Sequence, residues 1–505
     1  MTPSEPQLPR RPRTGPLRRL GFAAVASLAV LGGLELGLRA LGWLRADRAT
    51  SVVSFQQQGP FEPIPVDGGL VLPSGFPRVV ATPKRGRRIL LVGGSAALGA
   101  GYAPFTAMSG WLERELRYAD PETPVEVIDM GIGGVASAQV LELLEGSLPQ
   151  AEADLVVVYS GNNEMLEAMV VQTMPTGSQR TQRVRQALWS LHLFRLIQRL
   201  VPERPEPSGD RPGGSVHDQP ISLSDAARDN AREGFRRNLQ DMARLSRDAG
   251  VPLVLATVAT NQRDHIDPGG SPQERELFEA GRSALASGDL EAAREAFAQA
   301  EERAARPSRA DRVLRRITRE VASQEALPLC DVQAALAAEA EGGIPGLDFF
   351  YDSCHANQRG HQRIGATMAG CALAVLGGDP SAIGSSSPVP ASGWSPWRLD
   401  HHMGQWDAQL PPDSGTAADA AAAAHLAFTQ QRTDNACALY QQALDRGGPE
   451  GPLRVSLGLC ALYTGRLQLA RQQLAQAAAL LPDDLDLQHS LITLGVQGSQ
   501  GSPSP

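Results

Sequence analysis

The sequence predicts an α/β protein built on a parallel sheet, and three observations carry that prediction. Apolar runs of strand length alternate with stretches of helical spacing, the pattern that sets parallel strands side by side with helices between them. The first run, Ile89, Leu90, Leu91 and Val92, is apolar without interruption, as a strand buried on both faces must be. Each of the first three runs then stops at glycine and small polar residues, over positions 93–95, 131–137 and 160–164. Small residues permit a tight strand-to-helix turn there.

With 505 residues there is room for two or three domains and at least one large core. A hydrophobic share of 42% and a charged share of 20% are those of a folded protein. The net charge of -8 implies no basic face, so nucleic acid is not expected as a partner. Basic residues do gather at the amino terminus, as Arg10, Arg11, Arg13, Arg18 and Arg19. They precede an apolar stretch, residues 20–44, whose only charges are Glu35 and Arg39. That stretch is long enough to cross ~30 Å of hydrocarbon as a helix. Glu35 and Arg39 lie four apart and can pair on one face. No small-x-small cleavage site follows, so residues 20–44 read as an uncleaved signal anchor. Residues 1–19 become a cytoplasmic tail, because positive residues stay inside. The body of the protein then lies outside the cytoplasm, in a periplasm. The five cysteines show no metal-ligand spacing; an oxidising compartment permits a disulfide among them, and the sequence does not assign one.

Taken in order, residues 45–85 read as an extended tether that could add an edge strand. The first strand is followed by a helix over 108–118, a second strand over 125–130, a helix over 138–144 and a third strand over 154–159. Residues 180–250 are Arg-rich and read as a mostly helical insert. A fourth strand is expected over 251–259, with Asn261 and Arg263 just beyond it at the carboxyl end. A short fifth strand falls at 327–331 and a closing helix at 358–376. Residues 379–415 are rich in Ser, Pro, Gly and Trp and read as a linker.

Beyond the linker, over 416–490, the pattern changes to helical pairs that resemble tetratricopeptide repeats of about 34 residues. Ala461, Gly465, Ala470, Leu474, Ala477 and Pro482 occupy the small, large and breaker positions, and Ala436, Tyr440 and Ala443 stand one repeat earlier. A second segment, 273–307, follows the same scheme with Gly281, Gly288, Ala293, Phe297 and Ala300. Residues 491–505 read as a disordered tail.

The chemistry-bearing residues fall at the carboxyl ends of the strands, which converge on one crevice in an open parallel sheet. By itself Ser95 reads as an N-cap serine after a glycine turn. A dinucleotide loop fits poorly, since no Gly-x-Gly-x-x-Gly register is followed by a ribose-binding acid, and no Gly-Lys-Ser/Thr marks a phosphate loop. What favours a nucleophile is the company Ser95 keeps. A serine hydroxyl needs a base, and His355 is a candidate, with Asp352 three residues before it to fix the imidazole. His361 is a rival base without such an acid. The amides of Ser95 and Gly134, the carboxamide of Asn163 and the dipole of a helix starting at Ser95 could hold an oxyanion. Removing one such donor typically costs ~3 kcal/mol of transition-state stabilisation. Asn162 reads as structural, Cys354 as a packed cysteine, and His265 and Asp267 as loop residues rather than a metal site. Asn261 and Arg263 could orient substrate, or could belong to a solvated loop.

This arrangement resembles the SGNH (GDSL-like) hydrolase family over residues 86–378. Its Gly-Asp-Ser block is Gly93, Gly94 and Ser95 here, with Gly in place of Asp. The second block's glycine aligns with Gly134, and Gly-x-Asn-Asp appears as Gly161, Asn162, Asn163 and Glu164, with Glu for Asp. Asp-x-x-His is Asp352, Ser353, Cys354 and His355. The resemblance implies a three-layer α/β/α sandwich with a five-stranded parallel sheet and an esterase, lipase or carbohydrate acyl-ester hydrolase that needs no metal or other cofactor. The expected function is a membrane-anchored, extracytoplasmic serine ester hydrolase acting on a glycan, peptidoglycan or lipid ester. The alternatives are an O-acyltransferase acting on an envelope glycan through the same serine, and a non-catalytic scaffold. In either enzyme reading the repeats could recruit a protein partner.

Overall fold

Residues 63–85, expected as part of a tether, form instead an antiparallel meander of three short strands, β1 (Ile64–Val66), β2 (Gly69–Val71) and β3 (Val79–Ala81), in a computed structural model of the protein. Leu70 and Leu72 of this meander enter the main core. The structure describes residues 32–34, 36–37, 63–100, 102, 106–173, 222–267, 270–383, 415–429, 432–482 and 484–496. The chain divides into two units, 1–53 with 176–212 and 54–175 with 213–505. Of the first unit, residues 32–34 and 36–37 are described, and they are helical. Apart from these, the expected anchor 20–44 lies outside the described residues, as do the tail 1–19, the segment 174–221, most of the linker and residues 497–505. Among the described residues no helix is long and apolar enough to cross a membrane.

The second unit is built on a five-stranded parallel sheet of β4 (Arg87–Gly93), β5 (Val125–Gly131), β6 (Leu155–Tyr159), β7 (Leu253–Ala256) and β8 (Leu329–Cys330), in the order β5-β4-β6-β7-β8. Its central strands are fully buried: Ile89, Leu90, Leu91 and Val92 are inaccessible to solvent. Between the strands run α1 (Ser95–Leu98), α2 (Met108–Ala119), α3 (Ser137–Ser147), α4 (Glu164–Thr173), α5 (Asp225–Ala249), α6 (Pro272–Ser287), α7 (Leu290–Arg303) and α8 (Arg312–Gln324), and after β8 come α9 (Val332–Glu339) and α10 (Gln358–Leu376). The chain steps from β4 to β5 in one direction and from β5 through β6 and β7 to β8 in the other. Right-handed crossovers then put α2 on one face and α3, α5 and α8 on the other. The closing helix α10 packs on α2, while α3, α4 and α8 pack on α5. The result is three layers, with α5 serving as one of the layer helices rather than as an insert.

The fourth strand ends at Ala256, not at residue 259. Beyond it the chain finds side-chain partners: Ala259 N–H donates to the Tyr159 hydroxyl at 3.0 Å, and the Thr257 hydroxyl donates to the Asp331 carboxylate at 2.8 Å. The fifth strand is two residues long and so offers little ladder to extend. A disulfide joins its Cys330 to Cys371 of α10.

Helices α6 and α7 form a hairpin, with Gly281 against the Phe297 ring, where an added Cβ would meet ring carbons at 3.0 Å. The carboxyl-terminal helices are α11 (Ala417–Thr429), α12 (Thr433–Asp445), α13 (Glu450–Tyr463), α14 (Leu467–Leu480) and α15 (Leu485–Thr493). They pair successively, α11 with α12 and α13 with α14, and Cys437–Cys460 bridges α12 to α13. The positions expected at the crossings (Ala436, Ala443, Ala461, Ala470, Leu474 and Ala477) are all inaccessible. These helices dock on the meander: Phe76 sits edge-on to Phe428 and Tyr463, at 5.4 and 4.9 Å between ring centroids.

Candidate active site

Three strand ends come level at one point. Gly93 pairs with Gly131 of β5 on one side and with Tyr159 of β6 on the other. The chain leaves β4 toward β5 and later returns past it to β6, so this is the topological switch point where a crevice opens. Gly93 is required by the packing: a Cβ there would stand 2.1 Å from the Tyr159 carbonyl oxygen. Ser95 follows as the first residue of α1, after Gly94. The helix behind it is a single turn, closed by Gly99 in the left-handed conformation (φ 69°). The dipole expected there is therefore slight, because so few aligned peptides contribute. An oxyanion at this point must be held by individual donors.

The structure brings Ser95, His355 and Asp352 into one hydrogen-bonded chain. His355 Nε2 lies 2.8 Å from Ser95 Oγ across 260 positions of sequence. His355 Nδ1 lies 2.6 Å from Asp352 Oδ2. An ionised carboxylate only accepts, so Nδ1 carries the proton and Nε2 presents its lone pair to the serine hydroxyl. Asp352 Oδ1 accepts from the amides of Cys354 and His355, at 2.9 and 2.7 Å. Burial works against the charged Asp352, but the His355 bond and charge, with those two amides, hold its carboxyl below the usual range. The loop that carries the pair is a tight reversal, closed by the Phe350–Ala356 bridge and by Tyr351 N–H donating to the His355 carbonyl at 3.1 Å.

Asn163 and the 131–136 loop flank the serine. Asn163 Nδ2 donates to the Val135 carbonyl at 2.8 Å, which occupies one of its two amide hydrogens. The same nitrogen stands 2.9 Å from where a Cβ on Gly94 would lie. A side chain at 94 would push the carboxamide aside, which gives the Gly at that position a steric reason. Gly134 adopts a left-handed backbone (φ 75°) in the exposed part of the loop. The loop is clasped by Glu164, whose carboxylate accepts from Ser137 N–H at 2.8 Å and from the Ser137 hydroxyl at 2.9 Å. Burial pushes the Glu164 carboxyl up to about 7, opposed by the Ser137 amide. The sequence marks this acid only as a Glu in a block that carries Asp; its partner lies 27 positions away.

Asn261 and Arg263 do not face the reacting atoms. Asn261 is fully buried; its N–H donates to the Ser353 carbonyl at 2.9 Å and its Nδ2 to the Asp352 carbonyl at 3.0 Å. It holds the triad loop from behind. The guanidinium of Arg263 is taken up by Asp264, Glu341 and Asp348, at 3.1, 3.2 and 3.4 Å. Three carboxylates leave it little charge to offer a substrate. Asp267, expected in a loop, is buried and accepts from the Ser308 amide at 2.9 Å.

His361, the rival base, is buried on α10 with neither ring nitrogen hydrogen-bonded. Burial, and then the charge of His355, drive its imidazole down to about 3, so it stays neutral. Asn162 accepts from the Ala310 amide at 3.1 Å, a structural bond. Cys354 is buried, and burial raises its thiol to about 12, too high for a nucleophile. Asp352, Cys354 and His355 offer ligand atoms within 4.8 Å of one another, yet the carboxylate and both imidazole nitrogens are already engaged and the thiol is held protonated. They fit a proton-transfer chain better than a cation.

The chain matches no protein-family model and no curated protein sequence. Its structure is similar to solved structures of low identity. An acetylxylan esterase from Geobacillus stearothermophilus is 12% identical, with 59% of this chain and 98% of that one covered and a TM-score of 0.32. The lipase/acylhydrolase from Enterococcus faecalis is 16% identical over 60% of this chain and 100% of that one, at 0.31. An alpha/beta hydrolase enzyme from the metagenome of Lake Arreo, Spain, is 14% identical over 58% and 96%, at 0.32.

Proposed function

We propose that the protein is a serine ester hydrolase working through an acyl-enzyme. The single observation behind this reading is the unbroken chain Ser95 Oγ–His355 Nε2 and His355 Nδ1–Asp352, at 2.8 and 2.6 Å. As Ser95 Oγ attacks the ester carbonyl carbon, its proton passes to His355 Nε2, and the imidazolium that forms is stabilised by Asp352. The carbonyl oxygen, now negative, is held by the amides of Ser95 and Gly134 and by the second N–H of Asn163. Collapse expels the alcohol, which takes the proton from His355. Water then attacks the acyl-serine with His355 as base, and the acid and free Ser95 are released. The substrate is an acyl ester borne by an envelope glycan, peptidoglycan or lipid.

In this reading residues 20–44 anchor the chain in the membrane, and the hydrolase body works on the extracytoplasmic side. The apolar stretch behind an Arg-rich amino terminus supports this. Two disulfides support an oxidising compartment as well. The carboxyl-terminal helix pairs, with their tetratricopeptide-like spacing, recruit a protein partner.

The test is labelling by a fluorophosphonate together with turnover of p-nitrophenyl acetate. Ser95→Ala should remove labelling and lower kcat by about 10³-fold or more. Labelling that persists in the alanine variant, with turnover unchanged, rejects Ser95 as nucleophile.

A further inference from the structure

Tyr351 is an aromatic residue that burial does not explain, since 47% of it is exposed. It stands immediately before Asp352, and its contacts run to both sides of the proposed reaction centre. Its ring stacks on the His355 imidazole, with centroids 5.8 Å apart and planes 14° from parallel. Its hydroxyl donates to the Ala100 carbonyl at 3.0 Å, across 251 positions of sequence. Ala100 in turn donates its N–H to the carbonyl of Ser95 itself, at 3.1 Å. A continuous path therefore leads from the base, through the Tyr351 ring and hydroxyl, to the backbone of the nucleophile.

The two partners need such a connection. Ser95 is set by β4 and the turn of α1, whereas His355 sits on a loop between the short turn Glu341–Gly343 and α10. That loop is held from behind by Asn261, which bonds the Ser353 and Asp352 carbonyls but reaches nothing on the serine side. Among the described residues of that loop, Tyr351 carries the side-chain hydrogen bond to the segment that follows Ser95. The Ser95–His355 hydrogen bond closes the same gap, but it must break and re-form as the proton moves.

Resting on the hydrolase reading, we infer that Tyr351 is a positioning residue: it straps the His355 loop to the nucleophile turn and keeps the imidazole over Ser95. It donates no proton to the reaction. Its ring restricts rotation of the imidazole, and its hydroxyl sets the distance between loop and turn. The two functions separate by substitution. Tyr351→Phe keeps the ring and removes the strap; Tyr351→Ala removes both.

The experiment uses the full-length chain and three readouts: steady-state kinetics on p-nitrophenyl acetate, the rate and final stoichiometry of fluorophosphonate labelling, and crystal structures of the two variants. Tyr351→Phe should lower kcat about tenfold, the effect of one lost hydrogen bond. Tyr351→Ala should lower it on the order of 10²-fold, as misplacement by about 1 Å does. In both, KM should stay within about twofold of wild type and every serine should still label, only more slowly. The Ser95 Oγ–His355 Nε2 separation should lengthen. A higher KM at unchanged kcat would make Tyr351 a substrate contact and overturn the proposal. A labelled fraction that falls in step with activity, at an unchanged rate per labelled site, would reduce it to a folding role. If wild type neither labels nor turns over, the hydrolase reading fails; the strap is then decided by the variant structures, and a separation unchanged from 2.8 Å in both rejects it.

Discussion

Helices α6–α7 and α13–α14 are both hairpins closed on a glycine, Gly281 under Phe297 in one and Gly458 under Leu474 in the other. They are fastened to the protein by different physics. The α6–α7 hairpin sends Glu301 into the parallel-sheet body, where it meets Arg315 at 2.6 Å, Arg309 at 3.3 Å and the Thr260 hydroxyl at 2.9 Å. All three charged side chains are at most 4% exposed. The α13–α14 hairpin buries chiefly alkyl groups and docks through Tyr463 on Phe76 of the meander. One sequence pattern thus builds the same local unit twice. What the outer surface does is decided by the body it meets: a polar strand end in the first case, an apolar meander in the second.

The sharpest way to break that contrast is Glu301→Ala. Removing one member of a buried ion network leaves the other charges uncompensated and costs about 3–5 kcal/mol. The melting temperature should drop clearly in thermal denaturation. Turnover should fall too, because Thr260 and Gln262, both bonded to Glu301, flank the Asn261 that holds the triad loop. A variant that melts like wild type would show that the network contributes nothing net.

Acid should separate the two regions next. The parallel-sheet body buries His361 without a hydrogen bond, while in the carboxyl-terminal helices His425 Nδ1 meets the Tyr440 hydroxyl at 2.7 Å. The folded His361 value, about 3, lies below its unfolded one, so the unfolded chain takes up a proton first. The stability that neutral His361 preserves is complete above about pH 6.5 and is lost progressively toward pH 3, by up to ~1.4 kcal/mol per pH unit. Glu164 and Asp129, raised by burial to about 7 and 6, act in the opposite sense. They stabilise the fold on acidification, so wild type alone would hide the effect. The measurement is therefore the stability difference between wild type and His361→Phe, which should shift toward the variant between pH 6.5 and 4. A difference independent of pH rejects the assignment.

The smallest effects concern the glycines themselves. A Cβ on Gly458 would meet Leu474 side-chain carbons at 2.6 and 2.8 Å and its backbone nitrogen at 3.3 Å. Gly458→Ala should cost about 1–2 kcal/mol through overpacking, partly offset by better helix propensity, and leave kcat unchanged. Gly281→Ala meets only the edge of the Phe297 ring, at 3.0 Å, and should cost less. Equal losses in chemical denaturation would show that the two crossings are equally rigid.

Much of the sheet was legible because its signals are local. Uninterrupted apolar runs marked β4 and β6, and α10 spans the expected residues 358–376. The meander was not legible: three strands of three residues each, carrying Pro65 and Gly69, are too short to show a period. Within the site, Ser95, His355 and Asp352 could be named from their residue types and spacing. Asn261 and Arg263 were visible as polar residues at a strand end, but apart from neighbouring Asp264 their partners lie about 80 to 90 positions away and leave no local trace.

By itself, then, the chain's residue order determined most strands of the parallel sheet, its closing helix and which side chains could do acyl chemistry, since these follow from near neighbours and intrinsic reactivity. Only tertiary structure decided that a serine and a histidine 260 positions apart stand 2.8 Å from one another, that Arg263 is spent on three carboxylates, and that Glu301 is a bolt rather than a surface acid. Those outcomes depend on which surfaces meet. The strand order and crossover hand of the whole sheet set that, not any single stretch of sequence.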